Sequence, residues 1–299
     1  MKRRLTALAA MLLIGSAPAL AQAPAVRLVD ADPALWVVKD ADTTIYLFGT
    51  IHVLKPGLSW FDDAVKTAFD ASGELVIEMV TPSDAAMLGK VNQYAVDPQK
   101  RALTTRLSDT DRTAYLAAIE AHHIPYQAFE AFKPWFVAVT IGILPLQNAG
   151  YGAANGVETV LTEAATAAGK PVSGLETVDE QLGLFDALPE ADQIIYLNAT
   201  VKGMPDMVAQ IDSLVALWAR GKTRKLATDM NEADGMTPAL NKLLLADRNM
   251  RWADWIAARL EAPGTVFVAV GSGHLAGRDS VQAKLKAMKL KAVRVKYKN

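Results

Sequence analysis

The chain has 299 residues, about half of them apolar and about a fifth charged, with a formal net charge of −1. That composition fits a globular protein with a substantial core, and the near balance of lysine plus arginine against aspartate plus glutamate argues against a basic nucleic-acid binder. The absence of cysteine excludes disulfides, thiolate metal sites and thiol catalysis, so any metal site must draw on His, Asp and Glu.

The first 21 residues are read as a signal peptide and not as part of the fold. "MKRR" is a charged start, "LTALAAMLLIGSA" a short apolar run, and "ALA" before Gln22 a small-residue cleavage site. The run is roughly a dozen residues, short for a membrane span. Cleavage near Ala21 removes Lys2, Arg3 and Arg4, which takes the formal charge from −1 to −4. The expected product is residues 22–299, a single periplasmic or secreted domain without a transmembrane anchor.

Next, "LWVVKD" and "TTIYLFGT" predict two adjacent strands joined by a turn at Asp40–Asp42. "LSWFDDAVKTAFDASG" predicts a helix capped by Ser59, with Phe61, Val65 and Ala68 on one face and Gly73 at its end. "ELVIEM" (74–79) is a β-prone strand carrying Glu78 at its end. From Pro82 to Leu146 the pattern is helical, including a helix capped by Ser108 and the apolar run between Pro134 and Pro145. At about 13 residues that run predicts a buried core helix.

A Gly-rich loop, "NAGYGAANG", then leads to a helix expected to be capped by Asn155, with Val157, Val160, Leu161 and Ala164 on its apolar face. "KPVSGLE" predicts a short strand, and Thr177 with Glu180 a capping box for the helix after it. Helices are expected from Pro189 to Leu260. The chain closes with the strand "TVFVAVG", a loop holding His274, the helix "SVQAKLKAMK" and a last strand "KAVRVKY". No repeat or linker divides the chain, so the pattern predicts one mixed α/β domain whose two terminal segments share a sheet, with a helical middle segment.

Only four histidines are present, and two follow apolar strands in the same way: Gly49-Thr-Ile-His52 and Gly271-Ser-Gly-His274. In α/β sheets the crevice outside the strand ends is where ligands bind, and glycine allows close backbone approach there. Glu78 closes a third strand. Two imidazoles and a carboxylate are a usual ligand set for a catalytic divalent metal, which lowers the pKa of bound water and polarises a carbonyl. Each residue also has a plainer reading, as a hydrogen-bonded loop histidine or a strand-end carboxylate.

Other candidates carry their own plain readings. Glu176 sits at a strand-to-helix junction, where a carboxylate suits the helix N-terminus; Glu158, in the first turn after the Gly-rich loop, has a similar reading and a weaker functional case. Arg248 is a candidate clamp for a substrate carboxylate or an oxyanion, or else part of a solvated arginine face with Arg251. His122 and His123, at a helix end before Pro125, read as structural. There is no Gly-x-Ser-x-Gly elbow, and "GYGAANG" lacks the lysine of a phosphate-binding loop.

Together "YLFGTIH", the strand ending in Glu78, "GVE" at 156–158, "GLET" with Gln181, "RN" at 248–249 and "VGSGHLAG" resemble the TraB/PrgY/GumN family, which includes the Tiki-type metallopeptidases. The resemblance spans nearly the whole chain after the signal peptide. It implies two similar α/β halves meeting at a central site, as in the erythromycin-esterase/ChaN-like group. It also implies a divalent-metal hydrolase, a peptidase in the Tiki-type members, using Mn, Co or Zn with a peptide or small polymer as substrate. Matched position by position, His52, His274 and Glu78 are the implied metal ligands, with Glu78, Glu176 and Arg248 as catalytic candidates. The membrane segments of some members have no counterpart here. Two other functions remain open at this point: a non-catalytic peptide- or glycan-binding protein, and a metal-dependent esterase.

Overall fold

The computed structural model describes residues 28–231 and 237–297; the expected signal peptide lies outside them. Six strands form the main sheet: β1 (Leu35–Lys39), β2 (Thr43–Thr50), β3 (Glu74–Met79), β4 (Val172–Glu176), β5 (Gly264–Gly271) and β6 (Val293–Arg294), in the order β4-β3-β5-β2-β1-β6. β2, β5, β3 and β4 run parallel, while β1 is antiparallel to both β2 and β6. The terminal segments therefore share one sheet, as expected. A separate two-stranded pair joins Val29–Asp30 to Leu58–Ser59.

Alternation along the central strands sorts side chains to two faces. Phe48, Phe267, Ala269, Leu75 and Ile77 face one way. They pack under α1 (Asp63–Ala71), which leads into β3, and further along the chain under α5 (Val157–Ala167) and α8 (Met207–Ala219). Ile45, Leu47, Val76, Val266, Val268 and Val270 face the other way, under α11 (Asp247–Arg259) and α12 (Val281–Ala287). Burial on both faces explains why β2 and β5 read as nearly unbroken apolar runs.

The chain between β3 and β4 holds α2 (Asp84–Tyr94), α3 (Asp109–Ala121), α4 (Pro134–Asn148) and α5; between β4 and β5 lie α6 (Val178–Asp186), α7 (Glu190–Gly203), α8, α9 (Thr223–Asn231), α10 (Pro238–Asn241) and α11. α3, α4 and α7 build a core of their own around Tyr115, Ile119, Val137, Ile141 and Leu197, the expected helical middle. Among the described residues no helix is long and apolar enough to cross a membrane.

Local signals succeed where the hydrogen bond is local. Ser108 caps α3 through Asp111 N–H, and Thr177 with Glu180 forms the capping box of α6. The structure departs from the reading where tertiary contacts decide. Ser59 does not cap α1; it lies in the small two-stranded pair and bonds to Asp62, the N-cap residue. Gly156, not Asn155, precedes α5. α4 continues through Pro145 to Asn148, and the final strand shortens to Val293–Arg294.

Candidate functional site at the strand ends

The four parallel strands end on the same edge of the sheet. Register places Thr50 beside Gly271 and Met79 beside Glu176, so both Gly-x-x-His loops leave from neighbouring central strands, with Glu78 and Glu176 on the next two. This is the crevice position expected for an α/β sheet.

His274 lies in a single 3-10 turn, Ser272–Leu275, and is buried. Its ring packs on Trp252, with centroids 4.3 Å apart. Asn249 donates its side-chain N–H to Asp279 O at 2.8 Å, which turns its Oδ1 towards His274 Nδ1 at 2.6 Å. Nδ1 must then carry the proton, and Nε2 offers its lone pair. That lone pair faces Arg248 Nη1 at 3.1 Å and lies 3.7 Å from Glu78 Oε1. Burial, with Arg248 and His52 nearby, holds the imidazole below its ordinary pKa, hence neutral.

Glu78 and Glu176 are both buried, and Arg248 lies between them. Arg248 Nη2 donates to each carboxylate at 2.7 Å, and its Nε donates to Glu176 at 3.0 Å. Arg251 adds a bond to Glu176 Oε1 at 2.9 Å, and Gln181 Nε2 reaches both carboxylates at 3.3–3.4 Å. The two carboxylates are balanced by buried Arg248 and by Arg251 reaching in from the surface, which is what permits burying them. Burial pushes Glu78 up, but the positive charges of Arg248 and His52, with the Gly271 N–H at 2.6 Å, hold it below the usual carboxylate range. A side chain at Gly271 would begin 3.0 Å from Glu78 Oε1, so the motif glycine keeps that N–H accessible.

His52 is the exposed member, with 71% of its side chain open to solvent. Its Nδ1 pairs with Glu158 Oε1 at 2.7 Å, and the Thr50 hydroxyl donates to the same oxygen. The bond to Glu158, with the negative charges of Glu158 and Glu78, raises His52 to about 9. Gly156 makes this pair possible. A Cβ there would lie 2.1 Å from His52 O, whereas glycine lets α5 start against the loop, with Val157 N–H bonded to Ile51 O. His52 Nε2 has no hydrogen-bond partner among the described residues.

Every candidate from the sequence except His122 and His123 thus lies at this edge. Arg248 and Glu176, for which plainer surface and helix-end readings were available, form its buried centre. Glu158, given a weak case, is the partner of His52. Asn249 had no assigned role; its signal was a polar residue beside Arg248 on the face of α11 that buries Trp252, Ala253 and Ile256. His52, His274 and Glu78 offer no set of three ligand atoms, one from each, within 4.8 Å of one another; among the described His, Asp and Glu side chains only Asp30, Asp62 and Asp63 do. The donor chemistry nevertheless fits a divalent ion. Each motif imidazole is fixed through Nδ1 by an oxygen acceptor, the outer support typical of metal-ligating histidines, and Glu78 is ionised. Arg248 shares the space beside Glu78 and His274.

The fold and site together define a mixed α/β protein with a charged centre at the ends of its parallel strands, built on paired Gly-x-x-His loops. The chain belongs to the TraB/PrgY/gumN family, whose model matches residues 34–294. It is 22% identical over 255 residues to the uncharacterized protein YbaP of Escherichia coli (strain K12), covering 85% of this chain and 92% of that protein. It is 20% identical over 267 residues to an uncharacterized protein of Treponema pallidum (strain Nichols), covering 82% and 78% respectively. No solved structure matches the chain.

Proposed function

We propose that the chain is an exported divalent-metal-dependent hydrolase, acting on peptides, whose centre is His52, His274 and Glu78. The observation that carries this reading is the matched support of the two motif histidines. Each has Nδ1 tied to a side-chain oxygen, Glu158 in one case and Asn249 in the other, and so directs Nε2 away from its support. His52, His274 and Glu78 would hold the ion, and a bound ion supplies an acidified water and an electrophile for the carbonyl. Glu158 and Asn249 orient the imidazoles. Arg248, fixed by both buried carboxylates and stacked 4.7 Å over Trp252, presents positive charge where an oxyanion develops.

The same guanidinium motivates a second reading. Arg248 already bridges Glu78 and His274 Nε2, an arrangement that also serves metal-free hydrolysis, with Arg248 as the cation facing the oxyanion and protonated His52 as acid. Peptide and ester substrates are profiled in parallel with wild-type and Glu78→Gln protein, with and without chelator. The metal reading expects peptide cleavage abolished by chelation and restored by Mn, Co or Zn. Cleavage indifferent to chelator supports the second reading, and no turnover of either substrate class contradicts both.

A further inference from the structure

A strongly basic strip lies outside the site. The last 20 residues carry six lysines, one arginine and no acidic residue. Their +7 against −1 for the whole chain leaves −8 for the first 279 residues. This charge is segregated in space as well as in sequence. β6 is the edge of the sheet opposite β4, and α12, packed on the adjoining face, leads into it through the loop 288–292. Two of the cations are committed to the fold: Lys284 pairs with Asp279 at 3.1 Å, and Arg294 stacks on Trp36. Lys286, Lys289, Lys291 and Lys296 are exposed and make no ion pair among the described residues.

Lys286, Lys289 and Lys291 line one shallow concavity of about 560 Å³, whose floor includes Leu290, Ala283 and Ala292. Val293 continues the apolar strip and is 47% exposed. We propose that this edge docks the protein on a bilayer surface rich in anionic phospholipid. Unpaired lysines attract the headgroup phosphates, while their alkyl stems and the apolar residues between them suit the boundary below. An extended polyanion such as nucleic acid would use the charge but not the exposed Val293. Docking by this edge leaves every residue of the strand-end site unaltered.

The test compares residues 22–299, the product expected after cleavage, with its K286E/K289E/K291E variant by flotation with phosphatidylcholine vesicles that contain or lack phosphatidylglycerol. The cationic, apolar start, which would bind anionic vesicles by itself, is thereby left out. The wild type should bind the anionic vesicles only, and release as salt is raised. The variant should bind on the order of 100-fold more weakly, from about one lysine's surface attraction at each of three positions. A K286Q/K289Q/K291Q variant, which adds no repulsion, should also weaken binding, and unchanged melting of both variants shows that folding is intact. Absence of wild-type binding, equal binding by the variants, or displacement from vesicles by an equal charge of duplex DNA overturns the proposal.

Discussion

At the scale of single residues, the centre of the molecule is a balance of charges that only works complete. Arg248→Met removes the cation between two buried carboxylates and should destabilise the fold by about 3–5 kcal/mol, measured by denaturant unfolding. Arg248→Lys should rescue little, because an ammonium cannot serve both carboxylates and stack on Trp252 in the same pose. Glu158→Gln tests the other histidine. The pairing holds His52 at about 9, above the ordinary imidazole value of about 6.5. A raised folded-state value means the pair contributes fully below about pH 6.5 and loses that contribution as pH rises through about 9. The wild type should therefore out-melt Glu158→Gln at neutral and mildly acidic pH, and the gap should close in alkali. A gap independent of pH contradicts the assignment. The sequence revealed His52 and His274 through their shared spacing, but not their partners. Glu158 and Asn249 are ordinary residues until α5 and α11 are placed over the strand ends.

Among the elements, the strand-end loops are positioned by neighbours distant in sequence. Trp218 on α8 donates its indole N–H to Gly49 O at 2.7 Å, and the Tyr151 hydroxyl and Lys55 both reach Asp212 on α8, clasping the loop after His52 to the Gly-rich loop. Gly156 is the tightest of these joints. Gly156→Ala would place a methyl inside van der Waals contact with His52 O, so α5 must retreat and carry Glu158 away from His52. The expected outcome is a folded protein in which the His52 NMR titration returns towards the ordinary value; an unaltered titration contradicts the role given to this glycine. Thr177→Ala, by contrast, should cost about 1 kcal/mol and leave that titration unchanged. This contrast also explains what the sequence made legible. Caps at Ser108 and Thr177 are closed within three residues and can be read locally. Ser59 and Asn155 have the right chemistry for caps, but pairing with Val29–Asp30 and the approach to His52 decide their conformations instead.

For the whole molecule, nearly unbroken apolar runs were enough to show a sheet shared by both ends of the chain, because β2 and β5 are buried on both faces. The antiparallel edge and the shortened last strand were less visible, since lysines and one arginine interrupt the apolar pattern there. The proposed function requires the two Gly-x-x-His loops and Glu78 to act as a single metal centre. Metal content by mass spectrometry, on protein purified without chelator, tests it most directly when wild type is compared with a His52→Ala/His274→Ala variant of confirmed folding. About one Mn, Co or Zn per wild-type chain and almost none in the variant is the predicted result. Equal content in the two proteins, whether high or negligible, would contradict it.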